Sequence, residues 1–306
     1  MHLDDVTRRR VLAGVVAIPV TPFAADGSVD WERHALLLRR LVDGGIGAVT
    51  PNGNTGEFYS LDQAEARLAA ENTVKAVGDR AAVIVGVGLD TGTAVDAARH
   101  ARDCGAHLVM VHQPVHPYVS GEGWFEYHRT IADAVPELGV ILYVRDERIT
   151  GAQFARLGDN CPNVVAVKYS VPDPVRFGSV ARDAGFDRFE WIAGLAELSA
   201  PGYFALGATG FTSGLANVAP AMSVQLHQAL TSGDRTRTLE IWELLRPFEE
   251  LRAADSSADN VSVVKEALAQ LNLCRRDVRP PSRTLPRTVR DHIEAILAGW
   301  GAQWTM

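Results

Sequence analysis

One lysine of this chain lies in an unusual place, at the end of an apolar run. The sequence contains 30 lysine and arginine residues, but only three of them are lysines: Lys75, Lys168 and Lys265. Lys168 directly follows the apolar residues 164–167. Arginine stays protonated and cannot add to a carbonyl carbon, whereas a lysine removed from water can lose its proton and become a nucleophile. The pattern therefore indicates amine chemistry at Lys168, unless this residue ends an edge strand and extends to solvent.

A tyrosine and a glycine-bounded turn could take part in the same chemistry. Tyr143 ends another apolar run, and residues 53–57 have the sequence Gly-Asn-Thr-Gly-Glu. Glycine lets the backbone turn tightly and expose successive amide groups, which can bind an anion such as a carboxylate. Taken alone, such a turn is more often a plain strand-to-helix connection, and a strand tyrosine is by default a core aromatic residue with its hydroxyl at the rim. An acid-base function for Tyr143 and a carboxylate site at the turn are hypotheses that require both to lie near Lys168.

Two histidines, His112 and His116, raise the alternative of a divalent-metal aldolase. The residues between them are glutamine, proline and valine, and no acidic or cysteine ligand is close in sequence. We therefore expect no metal site and no other cofactor. His116 is better explained as a pocket wall or a proton-handling group, and structural hydrogen bonding is the alternative for both histidines.

Short β-rich runs alternate with longer segments of 3.6-residue period from residue 14 to residue 232. The predicted strands lie near residues 15–20, 48–51, 82–86, 108–112, 140–143, 164–168, 189–193 and 210–212. The predicted helices lie near residues 30–43, 61–77, 91–103, 123–135, 150–157, 174–184, 195–206 and 220–230. Eight strand-helix units of this length indicate an α/β protein with a (β/α)8 TIM-barrel fold.

The remaining residues contain three further helical patterns and no strand pattern. The sequence thus predicts a barrel over residues 1–232 that carries the active site, and a helical C-terminal extension over residues 233–306. Whether the extension packs on the barrel or forms a contact between subunits is left open.

Barrel enzymes place their catalytic residues at the carboxyl ends of the strands. Alternation along a strand predicts that Lys168, Ala166 and Val164 face the barrel interior, while Val165 and Val167 face the helices. The amine would then lie in a dry enclosure, which lowers its pKa. Arg145 and Arg148 could hold a second carboxylate by bidentate pairing, with exposed ion pairing as the alternative. Other residues predicted to line the pocket are His116, Val144, Gly194, Thr212 and Ser213.

Composition narrows the possible partners. A formal net charge of −7 argues against nucleic acid or an anionic membrane, so small molecules are the expected ligands. The three cysteines are far apart, which fits a reducing cytoplasm. Residues 8–20 superficially resemble a twin-arginine export signal, but their short apolar part contains Pro19 and is better explained as the first barrel strand.

Several of these segments resemble the dihydrodipicolinate synthase and N-acetylneuraminate lyase family of Schiff-base lyases, from residue 14 to about residue 273. The resemblance rests on Pro19–Phe23, Gly53–Glu57, Tyr143, Lys168, Gly207–Gly214, Asn217 and Pro220. It implies that Lys168 forms an imine with pyruvate or a longer 2-oxo acid. It also implies that the amides of Asn54 and Thr55 hold the carboxylate, and that Tyr143 and the Thr55 hydroxyl transfer protons. Such proteins are usually homotetramers, so we expect a tetramer or a dimer.

The resemblance leaves the exact reaction open. Arg148 keeps the spacing of the family arginine that pairs with the second substrate, and His116 stands where the synthases carry a tyrosine from a neighbouring subunit. The segments at residues 143–146, 262–265 and 278–281 are closer to the ketodeoxyglucarate dehydratase branch. A lyase is therefore expected, either an aldolase or a dehydratase, with 5-dehydro-4-deoxyglucarate dehydratase as one alternative. The alternative from another class is a barrel that binds a 2-oxo acid or acidic sugar without turnover.

Overall fold

The chain folds around a closed barrel of parallel strands, seen in a computed structural model that describes residues 3–301 and 304. Each strand pairs with the next one along the chain, and the last pairs with the first. The strands are β1 (Val15–Ala17), β2 (Ala48–Val49), β3 (Ala82–Val87), β4 (Leu108–Val111), β5 (Gly139–Val144), β6 (Val164–Tyr169), β7 (Glu190–Ala193) and β8 (Gly210–Ser213). The predicted (β/α)8 barrel is confirmed.

Helices connect the strands on the outside of the barrel. Six of the described helices begin after an aspartate whose carboxylate accepts a hydrogen bond from the amide three residues later, which satisfies a free amide of the first helical turn. The helices are α1 (Asp5–Leu12), α2 (Trp31–Asp43), α3 (Gln63–Val77), α4 (Thr91–Asp103), α5 (Gly121–Ala134), α6 (Gly151–Asn160), α7 (Pro174–Asp183), α8 (Ala196–Phe204), α9 (Pro220–Ser232), α10 (Arg235–Ser257), α11 (Asn260–Gln270) and α12 (Arg287–Trp300).

The inward and outward alternation of β6 is interrupted by one extra residue. Val140 of β5 pairs with Val164, but the next residue, Ile141, pairs with Ala166, so Val165 is bulged out of the register. Ala166 belongs to the apolar cluster inside the barrel, whereas Val164 packs with the outer cluster between strands and helices. The prediction that Val164 faces the interior is therefore wrong, and so is the prediction that Val165 faces the helices, because Val165 packs against the cluster inside the barrel. From Ala166 onward the alternation is regular, which directs Lys168 inward.

The N-terminal arginines lie on a helix at the amino end of the barrel. Arg8, Arg9 and Arg10 belong to α1, and Leu12 at its end is fully buried in the cluster inside the barrel. β1 begins three residues after Leu12, in agreement with the prediction that the apolar part of this segment forms the first barrel strand rather than an export signal. None of the described helices is long and apolar enough to cross a membrane.

Three helices follow residue 232 in the part of the chain that the structure describes. The longest, α10, packs against α8 and α9, and the Trp242 indole donates a hydrogen bond of 2.9 Å to the Leu198 carbonyl. Residues 254–256 leave the helical conformation near the end of α10. The last helix returns to α10, where the Trp300 indole donates to the Leu244 carbonyl. The division at residues 232 and 233 stays a prediction.

Candidate active site

Lys168 and Tyr143 lie side by side inside the barrel. They are register partners on the neighbouring strands β5 and β6, so both side chains leave the sheet on the same face. Only 4% of Lys168 is exposed, and its Nζ atom lies 4.2 Å from the centre of the Tyr143 ring. The amine is therefore enclosed, with an aromatic face beside it.

Burial changes the protonation of this amine. Loss of hydration lowers the pKa of Lys168 to about 7, and the nearby positive charge of Arg145 acts in the same direction. Far more of this amine is then neutral near pH 7 than of a solvated lysine. The neutral form is the one that can add to a carbonyl carbon.

A glycine gives Lys168 the room that it occupies. A Cβ atom at position 194 would lie 1.9 Å from Ser170 Oγ, 2.9 Å from the Tyr169 carbonyl oxygen and 3.1 Å from Lys168 Cγ. The Gly194 carbonyl accepts a hydrogen bond of 3.4 Å from the Thr212 hydroxyl. The structure thus brings Gly194 and Thr212 next to Lys168, at the carboxyl ends of β7 and β8.

The glycine-bounded turn reaches the same place from the end of β2. Residues 54–56 form one turn of 3-10 helix, and the Asn54 Nδ2 atom donates a hydrogen bond of 3.1 Å to the Tyr143 hydroxyl. The first amides of a helix have no acceptor within it. Among the described residues, no acceptor is bonded to the amides of Asn54 and Thr55. These two amides therefore remain available beside the tyrosine and the lysine.

The sequence of the whole barrel matches one family of known proteins. A model described as the dihydrodipicolinate synthetase family matches residues 11–299. The chain belongs to this family. Its members are class I lyases that act through a lysine Schiff base, so this chain is a lyase of that family.

Relatives with two different names are about equally similar. The chain is 32% identical to the 4-hydroxy-tetrahydrodipicolinate synthase of Bartonella bacilliformis, over 94% of this chain and 97% of the relative. It is 31% identical to the probable 5-dehydro-4-deoxyglucarate dehydratase of Rhizobium rhizogenes, over 90% and 91%. The solved structure of dihydrodipicolinate synthase from Oceanobacillus iheyensis superposes with a TM-score of 0.92 at 35% identity, covering 97% of this chain and 99% of that one.

Thr55 is buried, but the hydrogen bond from this family motif to Tyr143 comes from its neighbour. The donor is the Asn54 side-chain amide, which holds the phenol and, unlike a hydroxyl, does not readily pass a proton on. Burial raises the pKa of Tyr143, and the Arg145 charge opposes that shift. Tyr143 is therefore a phenol at neutral pH. The proton transfer expected of the Thr55 hydroxyl stays a prediction.

Sequence reasoning treated His112 as a possible metal ligand or a structural hydrogen-bonding residue, and missed the aromatic group that it forms beside Tyr143. His112 stacks on Phe58 with ring centres 4.2 Å apart and meets Tyr143 edge-on at 5.7 Å. Its Nε2 atom is 2.8 Å from the Asn52 carbonyl oxygen, and burial lowers the pKa of His112 to about 3. His112 is thus a neutral wall of the site that donates to a backbone carbonyl. For His112, the structure thus agrees with the alternative of structural hydrogen bonding.

His116 lies on the exposed segment that follows β4. Its Nδ1 atom is within hydrogen-bond distance of the Tyr118 backbone, at 2.9 Å from the carbonyl oxygen. In the described part of this chain, no hydrogen bond or ring contact joins His116 to Tyr143 or Lys168. Its predicted contact with substrate stays a prediction. No group of three or more potential metal ligands is found in the described ranges.

The two arginines after β5 have different partners. Arg148 is 66% exposed on its side chain and forms a bidentate ion pair with Asp146. The positive charge of Arg145 contributes to the lowered pKa of Lys168 and opposes the rise that burial causes in the pKa of Tyr143. Of the two arginines predicted to hold a second carboxylate, Arg145 is therefore the better placed.

The prediction of a substrate contact for Ser213 is not supported by its side chain. Ser213 is register partner to Ala17, which packs in the outer cluster, so its side chain faces the helices. Its hydroxyl donates to Glu197 Oε1 at 2.5 Å and lies 3.2 Å from the Ser223 hydroxyl. The preceding residue, Thr212, faces the interior instead, because side chains alternate along β8.

Proposed function

We propose that Lys168 is the amine that forms the imine, with pyruvate or a longer 2-oxo acid as its substrate. The observation that carries this proposal is the buried amine with its pKa lowered to about 7, beside Tyr143. The neutral amine adds to the ketone carbon, and the carbinolamine loses water to give a protonated imine. That imine draws electrons from the adjacent carbon, which can lose a proton or break or form a bond.

The surrounding groups supply the remaining functions of this proposal. The free amides of Asn54 and Thr55 are suited to the carboxylate, because oriented backbone amides bind anions. Tyr143 donates and accepts the protons that addition and water loss require. Arg145 pairs with a second acidic group of a longer substrate. Thr212 and Gly194 shape the wall beside the imine.

The rate of imine formation should depend on pH around neutrality. The amine is protonated below its pKa and neutral above it, so the rate of trapping with pyruvate and cyanoborohydride should rise with pH and level off above a midpoint near 7. An ordinary lysine has a pKa near 10.4, so the neutral fraction at pH 7 is larger here by roughly a thousandfold. Arg145→Gln should move the midpoint upward, because it removes a positive charge. A midpoint above pH 9 in the unaltered protein would contradict the proposal.

Product formation should separate the aldol reaction from dehydration. The relatives' names point to two reactions, one of 5-dehydro-4-deoxyglucarate and one that yields 4-hydroxy-tetrahydrodipicolinate. We expect the chain to turn over either 5-dehydro-4-deoxyglucarate alone or pyruvate together with aspartate semialdehyde. Release of carbon dioxide measures the first reaction, and loss of pyruvate measures the second. Arg145 near the amine favours 5-dehydro-4-deoxyglucarate, because this substrate has a second carboxylate. Imine trapping without product from either mixture would support the non-catalytic binding barrel instead.

We also propose that the chain assembles as a tetramer or dimer in the cytoplasm. Val115 and Tyr118, on the segment that carries His116, are 55% and 85% exposed, and we assign these two apolar side chains to the contact between subunits. Cys104, Cys161 and Cys274 are free thiols, as a reducing compartment would leave them. Sedimentation velocity that shows a monomer would contradict the assembly.

A further inference from the structure

A second buried lysine lies behind the carboxylate-binding turn. Lys265 of α11 has no exposed surface, and its Nζ atom donates to Glu57 Oε1 at 2.5 Å and to the Asp277 carbonyl oxygen at 2.8 Å. The same atom lies 3.9 Å from the centre of the Phe23 ring. Unlike Lys168, this amine is paired with a carboxylate, so it is not available as a nucleophile.

Glu57 connects this amine to the turn. It directly follows the 3-10 residues 54–56, and its backbone is left-handed, with a φ of +59°. A residue other than glycine keeps this conformation only when its surroundings hold it there. Here both carboxylate oxygens are used, since Oε1 accepts from Lys265 and Oε2 accepts from the Arg279 amide at 2.8 Å.

Arg279 completes the attachment from the segment after α11. Its guanidinium forms a bidentate ion pair with Glu65 at 2.6 Å and lies 4.4 Å from the centre of the Phe23 ring. Lys265 and Arg279 therefore both contact Phe23 and Glu57. Through these contacts the chain after the barrel reaches the active-site turn, and among the described residues the groups around Lys168 named above come from the barrel.

We propose that Lys265 is a positioning residue that acts through Glu57 to hold the amides of Asn54 and Thr55, and the Asn54 bond to Tyr143, in the geometry that binds a 2-oxo acid. The identity of the substrate in this inference rests on the proposed function. The role of Lys265 in the geometry of the turn does not. Lys265 does not touch the substrate. Its loss should weaken carboxylate binding far more than it slows imine formation at saturation.

Two variants test this role, and a third variant, at an exposed lysine, is the control. Lys265→Met leaves the Glu57 carboxylate buried without its partner, so it should lower the melting temperature strongly. Glu57→Gln/Lys265→Met removes both charges and keeps an oxygen for the Arg279 amide, so it should be the more stable of the two. Lys75→Met changes an exposed lysine and should resemble the unaltered protein. Because the double variant removes the charge imbalance, it carries the test if Lys265→Met does not fold.

Two measurements are made on each folded variant. The pyruvate concentration for half-maximal trapping with cyanoborohydride should rise about tenfold or more, while the trapping rate at saturation stays within about threefold, because Lys168 is intact. Hydrogen–deuterium exchange of the peptide over residues 53–58 should become faster, with the strands unchanged. An unchanged half-saturation in a folded variant overturns the proposal, and so does unchanged exchange in this peptide. If the unaltered protein traps no pyruvate, the proposed function fails, and the exchange measurement alone decides the role of Lys265.

Discussion

Lys168→Arg is expected to abolish covalent trapping of pyruvate and to lower turnover by roughly 10⁴-fold or more, the scale on which a covalent nucleophile matters. The unaltered protein treated with pyruvate and borohydride should carry a reduced adduct on the peptide that contains Lys168. Arginine keeps a positive charge in this enclosure but cannot lose its proton or form an imine. Intact-protein mass spectrometry with peptide mapping checks the adduct, and a coupled product assay checks the turnover.

Two controls separate the loss of chemistry from the loss of structure. Lys75→Arg alters an exposed lysine and should trap pyruvate as the unaltered protein does. The thermal transition of Lys168→Arg shows whether the variant is folded, since a longer cation in a fully enclosed space can destabilise the barrel. A folded Lys168→Arg protein that still turns over substrate, or an adduct found on Lys265, would refute the assignment of the amine.

Tyr143→Phe is expected to lower turnover by roughly 10² to 10⁴ while imine trapping on Lys168 remains detectable. The ring that lies 4.2 Å from the amine is kept, but the hydroxyl that accepts from Asn54 and transfers protons is lost. Single-turnover kinetics should show slower imine formation as well as slower product formation. Borohydride trapping after long incubation should still reach the level of the unaltered protein.

Tyr169→Phe is the matched control for this substitution. Tyr169 lies one residue after Lys168 on β6, but its side chain packs in the outer cluster, away from the amine. Removing its hydroxyl should leave turnover within about threefold of the unaltered protein. If Tyr143→Phe were as active as Tyr169→Phe, the protons would have to come from another group, and the part given to Tyr143 would be withdrawn.

Most of the barrel could be predicted from local patterns. Each strand and helix is encoded by an apolar period within one short segment, so the eight units and their order were visible in the sequence. Lys168 and Tyr143 could be singled out for the same reason, because each lies next to the carboxyl end of a barrel strand. The facing of Val164 could not be predicted, since a bulge depends on the register with the neighbouring strand and leaves no local pattern.

The contacts that complete the site join distant parts of the chain. Asn54 and Tyr143 are 89 residues apart, and Glu57 and Lys265 are 208 residues apart. No periodicity links such positions, so only the three-dimensional structure brings them together. Arg148 differs from these residues, because its partner Asp146 is only two residues away in the sequence. Whether Arg148 binds Asp146 or a substrate carboxylate nevertheless depends on the three-dimensional geometry.

The extra residue in β6 separates two halves of one strand. The side-chain alternation before Val165 is out of phase with the alternation after it. Val164 therefore faces the surrounding helices, whereas Lys168 faces the barrel interior. A substitution at Val164 should therefore alter the packing between strands and helices rather than the interior that contains Lys168.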